Sequence, residues 1–158
     1  MALVASLLVL GLFYLYFENS LQARSNPNRQ LQVAPGTELV LKRSGNGHYI
    51  FPGTINGQPV TFLLDTGATL VALTASTARR AGIVLSPADY RAEVDTANGR
   101  TRAAVVRIDR LEIGRIALDG VEAVVLDDKA LGGNLIGMSF LKRLDKYQVE
   151  NGALLLVQ

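Results

Sequence analysis

With 158 residues, 49% of them apolar, and a net charge of +2, the chain has material for one cored domain plus a tail, and its scattered arginines leave no nucleic-acid footprint. The absence of cysteine excludes a disulfide framework and thiolate metal sites, while a single histidine, His48, excludes an imidazole metal cluster and nearly excludes Ser-His-Asp chemistry. Acid–base work therefore falls to carboxylates, with no metal and no cofactor implied.

Residues 2–17, ALVASLLVLGLFYLYF, form an unbroken apolar run. As a helix it would cover about 25 Å, slightly less than a hydrocarbon core of ~30 Å, so it reads as a short membrane helix or a signal-type segment. No basic residue precedes it and no good cleavage site follows, and Tyr14, Tyr16 and Phe17 gather at its downstream end like an interface belt. These features favour an uncleaved single-pass anchor over residues 1–17. The positive-inside rule does not decide its orientation, because Glu18 partly balances Arg24 and Arg29. Residues 18–37 lack periodicity and read as a polar linker that would hold the domain off the bilayer.

Short strands are predicted from Glu38 onward. The first covers Glu38 to Arg43, and a Gly-rich turn at Ser44-Gly45-Asn46-Gly47 leads to segments at His48 to Phe51 and Thr54 to Asn56. Gly45-x-Gly47 lacks the Lys-Ser/Thr and the helix of a phosphate loop and reads as a plain turn. Asn56-Gly57 is a strong hairpin signal, and Val60 to Leu64 is the returning strand.

That strand runs apolar through Phe62-Leu63-Leu64, stops at Asp65-Thr66-Gly67, and is followed by Ala68-Thr69 and the apolar Leu70 to Leu73. An acid at the abrupt end of a buried strand sits on stiff backbone, the seat that a catalytic carboxylate needs. A strand-ending Asp that merely caps a turn is the plain alternative. Thr74 is placed to N-cap a short helix through Ala81, with Gly82 as its stop.

Arg91 to Thr96 and Thr101 to Asp109 form a long predicted hairpin around Ala97-Asn98-Gly99-Arg100. Polar on both arms near the tip, it should project from the body. Asp95-Thr96-Ala97 fails as a second D-T-G because alanine stands where the glycine would be. Leu118-Asp119-Gly120 lacks the hydroxyl residue and reads as a turn between strands at Arg115–Leu118 and Val121–Leu126. Leu135-Ile136-Gly137 then repeats the plan of the first site, an apolar pair broken by glycine, before a short helix with Met138, Leu141 and Leu144 on one face. A last hairpin turns at Asn151-Gly152 between Tyr147–Glu150 and Ala153–Val157.

The D-T-G-A-T turn at Asp65–Thr69, the T-A-N-G tip at Thr96–Gly99 and the L-I-G-M-S-F-L segment at Leu135–Leu141, in this order and spacing, resemble the retropepsin-like (clan AA) aspartic proteases, in particular the bacterial membrane-anchored single-domain ones. Ala68 after the glycine is nearer the retroviral branch than the pepsin branch. The resemblance implies an all-β fold over residues 38–158, a single-lobe aspartic protease barrel with short helices, completed as a homodimer. It implies that Asp65 is catalytic, supported by Thr66, Gly67, Ala68 and Thr69. Thr96, Ala97, Asn98 and Gly99 would tip a flap over bound peptide, and Leu135, Ile136 and Gly137 would cross beneath the catalytic strand. Thr66 would reach across the dimer axis, and Gly67 would offer its N–H to the carboxylate.

Peptide hydrolysis of this kind needs two carboxylates on one water, and the chain supplies one suitable Asp, so an identical subunit must supply the other. The substrate would be a protein or peptide. The expected location is a bacterial inner membrane, with the domain in the periplasm. Two further readings stay open on the residues alone: a membrane-tethered dimer that binds peptides or a partner protein without cutting them, and a structural β domain on an anchor. Arg100 and Arg102, close to the flap, could favour acidic substrates or be ordinary solvated charges.

Overall fold

The structure, a computed structural model, describes residues 2–31, 38–96 and 99–158. A helix, α1, covers Ala2–Ser25, and the strands β1 (Glu38–Lys42), β2 (Ile50–Ile55), β3 (Gln58–Leu64) and β4 (Val71–Thr74) follow. After helix α2 (Ala75–Arg80) come β5 (Ala92–Thr96), β6 (Gly99–Ile113), β7 (Ile116–Leu126), β8 (Asn134–Ile136), helix α3 (Met138–Leu141), β9 (Lys146–Glu150) and β10 (Ala153–Val157).

Seven strands form one mixed sheet in the order β2-β3-β8-β4-β7-β6-β5, and β2 also pairs with β6 at Thr54↔Glu112 and Ile55↔Leu111, which closes the sheet into a barrel. A polar seam reinforces that closure, since Thr54 Oγ1 donates to Glu112 Oε2 (3.0 Å) and Arg110 Nε to Glu112 Oε1 (2.9 Å). Arg110, and after it Thr54, hold the Glu112 carboxyl below its ordinary range. The barrel is filled by fully buried side chains from every layer, among them Phe51, Phe62, Leu73, Ile108, Leu111 and Phe140. Phe51 and Phe62 face each other across the β2–β3 ladder, with ring centroids 6.5 Å apart.

The remaining strands form a separate antiparallel sheet, β1-β10-β9. Its alternation is clean: Leu39 and Leu41 of β1 and Leu154 and Leu156 of β10 are buried against the barrel. Both Asn-Gly hairpins form as expected, with positive φ at Asn56 and Gly57 (50° and 78°) and at Asn151 and Gly152 (49° and 78°).

Three expectations are corrected. Leu118-Asp119-Gly120 is not a turn. β7 runs through it, with the same register to β6 on either side, Arg110↔Asp119 and Ile108↔Val121, and only the Gly120 position, at φ 62°, skips its pair. The chain reverses earlier, between Ile113 and Ile116. A positive-φ site permits a turn, but the ladder to a neighbouring strand decides whether the chain takes it. The helix after Gly137 is four residues long, too short to present a periodic stripe. Its buried residues are Phe140 and Leu141, joined by Leu144, while Met138 packs at the core's margin. Finally, part of the segment read as linker is ordered: α1 continues through Ser25, and the strand edge holds the residues after it.

That docking rests on Asn28, which is 4% exposed. Its amide donates to Lys42 O (2.8 Å) and Ile50 O (2.9 Å), and its carbonyl accepts from the Lys42 N–H. Gly45 N–H caps the helix end at Arg24 O (2.9 Å). Among the described residues no helix is long and apolar enough to cross a membrane. In α1 the polar residues from Glu18 onward occupy the last turns.

Asn28→Ala removes all three hydrogen bonds and strands a buried N–H and two carbonyls. It is expected to lower stability by about 1–3 kcal/mol, read as a shift of the urea midpoint, and an unchanged midpoint would refute the docking.

Candidate active site

β3 delivers the chain to Asp65, whose backbone is tied on both sides. Leu64 N–H donates to Tyr49 O (3.0 Å) and Asp65 N–H to Ile136 O (3.0 Å), continuing the parallel β3–β8 ladder by one residue. The chain then folds tightly, with Ala68 N–H on Asp65 O (3.2 Å). This places Gly67 N–H 2.8 Å from Asp65 Oδ1, the donor expected there. The half-buried carboxylate thus has one oxygen held by the backbone.

The turn is gripped from the other side by the segment Gly137 to Ser139. Met138 N–H donates to Ala68 O (2.8 Å) and Ser139 N–H to Thr69 O (3.0 Å). The Ser139 hydroxyl accepts from Val71 N–H (2.9 Å) and donates to Glu122 O (2.7 Å), stitching the turn to β7. Such close approach leaves no room at Gly137, where an added Cβ would lie 2.2 Å from Leu70 O and 2.7 Å from Ala68 O. Rather than crossing beneath β3, the Leu135-Ile136 pair lies beside it: β8 is inserted between β3 and β4. Asn134 spans both neighbours, accepting from Thr74 N–H (3.1 Å) and donating to Thr61 O (3.3 Å).

In front of the turn opens a cleft of about 880 Å³, bounded by Asp65, Gly67 and Ala68 at its base and by Val94, Asp95 and Thr96 of the β5–β6 hairpin. Its walls are apolar: Ala72, Val124 and Leu126 form a small buried cluster on which Leu70, Leu131 and Leu135 pack. The loop bearing Leu131 is tied to α2, because Asp128 Oδ1 accepts Ser76 N–H (2.9 Å). That backbone bond holds the Asp128 carboxyl below its ordinary range.

The hairpin expected to be a flap and the acid expected to be catalytic thus line one cleft. Thr96 Oγ1 donates to Gly99 O (2.8 Å) across its end, and the other two tip residues, Ala97 and Asn98, lie outside the described residues. Arg100 is engaged by Asp95 (3.2 Å) and Glu93 (3.8 Å) on the hairpin itself, so it reads as a solvated charge rather than a substrate contact. Asp95 thus pairs with Arg100 on the hairpin while lining the same cleft as Asp65. Thr66 and Thr69 are exposed, and among the described residues the Thr66 hydroxyl has no partner within the protomer. Sequence reasoning passed over Ser139, Asn134 and Asp128. A polar residue beside a glycine or at the mouth of a short strand was the available signal, but its bonds span up to 73 residues and leave no local trace.

Residues 51–143 match the model of the family described as "gag-polyprotein putative aspartyl protease". The chain belongs to this retropepsin-like aspartic protease family. A retropepsin-like aspartic protease from Rickettsia conorii superimposes with a TM-score of 0.67 at 31% identity, over 75% of this chain and 89% of that one. The equine infectious anaemia virus protease, solved with the inhibitor HBY-793, matches at 19% identity and a TM-score of 0.52, over 65% and 93% of the two chains, which shows the shared fold. Among curated sequences, an uncharacterized Sinorhizobium sp. protein from the cobV 5′ region is 34% identical over 87% of this chain, and an uncharacterized Rickettsia prowazekii protein is 32% identical over 75%. The chain spans 60% and 51% of those two relatives' lengths.

Gly137→Ala drives a methyl into two backbone carbonyls that cannot retreat without pulling the Asp65 turn apart. It should cost on the order of 3 kcal/mol in chemical denaturation, whereas Gly132→Ala, with nothing within 4 Å of the added Cβ, should stay near wild type. Equal effects of the two would contradict the bracing described.

Proposed function

We propose that this chain is one half of an aspartic endopeptidase, with Asp65 and the Asp65 of a second copy meeting on a two-fold axis. The observation that carries the reading is the seat of Asp65: a backbone-fixed carboxylate at the base of an apolar cleft, under a hairpin, with one oxygen on Gly67 N–H. Two carboxylates brought to about 3 Å share one proton, because both cannot ionise. The ionised one takes a proton from the attacking water, and the protonated one donates to the scissile carbonyl oxygen. The substrate lies extended between flap and floor, where strand-type hydrogen bonds set its register and the apolar walls accept apolar side chains. Thr66, exposed and without a partner among the described residues, is placed to reach the other copy.

Ala68 presents a methyl where a serine could add a hydrogen bond to the anion. With one donor fewer, activity extends toward mildly acidic or neutral pH. The predicted behaviour of the full chain in mild detergent is cleavage of a mixed peptide library, reduced about 10²- to 10⁴-fold in kcat/KM by Asp65→Asn. Cleavage indifferent to that substitution would remove the proposal, and a pH profile confined below about pH 4 would remove the role given to Ala68. A chain that binds peptides with and without Asp65 but never cuts them would be a binding module on the same fold.

The bacterial inner-membrane location, with the domain on the periplasmic side, is part of the same proposal. Its support is that α1 leaves Leu10, Leu12, Leu15 and Phe17 more than half exposed, together with Tyr14 and Tyr16. In cell fractionation the chain should sediment with membranes, and replacing Leu10, Leu12 and Leu15 by serine should release it. Release of the wild type by buffer alone would exclude membrane association.

A further inference from the structure

Where α1 meets the domain, positive charge gathers without a counter-charge. Arg24 stands in the last turn of α1, with its carbonyl on Gly45 N–H (2.9 Å). Arg29 follows on the segment that Asn28 clamps to Lys42, and Arg43 comes next on the domain side, its guanidinium 5.8 Å from the Tyr49 ring centroid. Arg24, Arg29, Lys42 and Arg43, all exposed, thus belong to one junction. Among the described residues none of the four forms an ion pair, and the ion pairs present belong to Arg100 and Arg110. Acids stand apart from it. Glu18, roughly 9 Å back along the helix from Arg24, accepts from Gln22 Nε2 (3.4 Å). Glu38 is at the far end of β1, roughly 13 Å from Lys42, and Glu150, on the same row of the sheet as Lys42, is two strands away, roughly 10 Å.

Exposed charges are ordinarily left to solvent, but a cavity adjoins these. About 640 Å³ opens between the last turns of α1 and the segment after it, bordered by Asn19, Ala23, Asn26, Arg29, Gln30 and Leu31. Side-chain amides and one guanidinium line it, and among the described residues no carboxylate does. Arg29 Nη1 donates to Gln22 Oε1 (2.8 Å), which holds the guanidinium against the helix and leaves its other nitrogens available. The negative end of the helix dipole is blunted by donors: Gln22 O takes Asn26 N–H (3.0 Å) and the Ser25 hydroxyl (2.9 Å), and Arg24 O takes Gly45 N–H.

The helix also fixes the height of this cavity. Asn19 and Ala23 lie two and six residues beyond Phe17, the end of the apolar run, or about 3 Å and 9 Å along the axis. The polar zone of one leaflet is roughly 5–8 Å deep. With the exposed Leu10, Leu12, Leu15 and Phe17 in hydrocarbon, the cavity lies at the level of the lipid phosphates.

We infer that this junction is a binding site for an anionic phospholipid, whose phosphate enters the cavity at Arg29 while Arg24, Lys42 and Arg43 rest on the charged leaflet around it. The inference rests on the membrane location proposed above and is independent of the chemistry at Asp65. Each Lys or Arg held at an anionic surface adds about fivefold to the affinity, and the gain fades over a Debye length, ~10 Å at 0.1 M salt.

The test reconstitutes the full chain in phosphatidylcholine nanodiscs carrying a trace of spin-labelled phosphatidylglycerol or spin-labelled phosphatidylcholine, and compares how much of each label the protein immobilises. The anionic label should be preferred about fivefold or more at about 0.1 M salt and lose most of that preference at about 1 M, where the Debye length is ~3 Å. Arg29→Gln should bring the two labels close to parity, and joint replacement of Arg24, Lys42 and Arg43 by glutamine should lower the preference severalfold. Arg79→Gln with Arg80→Gln, on α2, should leave it unchanged. Equal immobilisation of the two labels, a preference indifferent to Arg29→Gln, or one abolished by inorganic phosphate at constant ionic strength would each overturn the site, the last by showing that it takes the free ion. A chain that never enters the discs would overturn the membrane location and this inference together, whereas one that enters them without a preference overturns this inference alone.

Discussion

The turn that carries Asp65 is held in place by a glycine that is not part of it. Gly137 lies against the carbonyls of Ala68 and Leu70 at a separation no side chain could share, and only that contact lets Met138 and Ser139 reach the turn's exposed backbone with their N–H groups. Without those bonds the carbonyls of Ala68 and Thr69 would have to be satisfied by water, and the acid would sit on a mobile loop. With them, the carboxylate is fixed by strand ladders on one side and by a helix start on the other. The barrel, the cleft and the flap are all arranged around a turn made rigid in this way.

Rigidity at the base contrasts with the hairpin above it. The β5–β6 hairpin reaches the cleft with one face exposed and the other half-buried, and ion pairs of Arg100 with Glu93 and Asp95 lie on the exposed face. Such pairs contribute little to stability, so the β5–β6 ladder itself is what holds the two arms together. The apolar walls between them come from β4, β7 and the loop that Asp128 ties to α2, and each belongs to a different stretch of sequence. A pocket assembled from separated segments can vary in shape without disturbing the acid.

The two sheets divide the labour of the protomer. The barrel builds the site, and the three-stranded sheet carries the chain's beginning and end. Asn28 clamps the segment after α1 to one edge of that sheet, so the long exposed helix is coupled directly to the domain instead of trailing from it. The opposite edge stays open, with hydrogen-bonding groups and apolar side chains directed outward.

Much of this was legible in the residues. Strand periodicity, both Asn-Gly hairpins, the Thr74 cap of α2 and the seat of Asp65 are local signals, set by side-chain alternation and by the φ values that only a few residues tolerate. The D-T-G-A-T turn, the T-A-N-G tip and the L-I-G-M-S-F-L segment pointed to the family together, by their order and spacing. What needed the folded chain was every relation between distant segments. Gly120 carries a turn signal that the β6 ladder overrides, and Phe140 joins Leu141 and Leu144 in the core against which Met138 packs. Asn28 reads as linker until its amide meets Lys42 and Ile50, and β8 proved to insert between β3 and β4 where a crossing beneath was expected. Local sequence determines which conformations a segment prefers, but hydrogen bonds and close packing between remote segments determine which of them are satisfied, and those partners exist only once the chain has closed on itself.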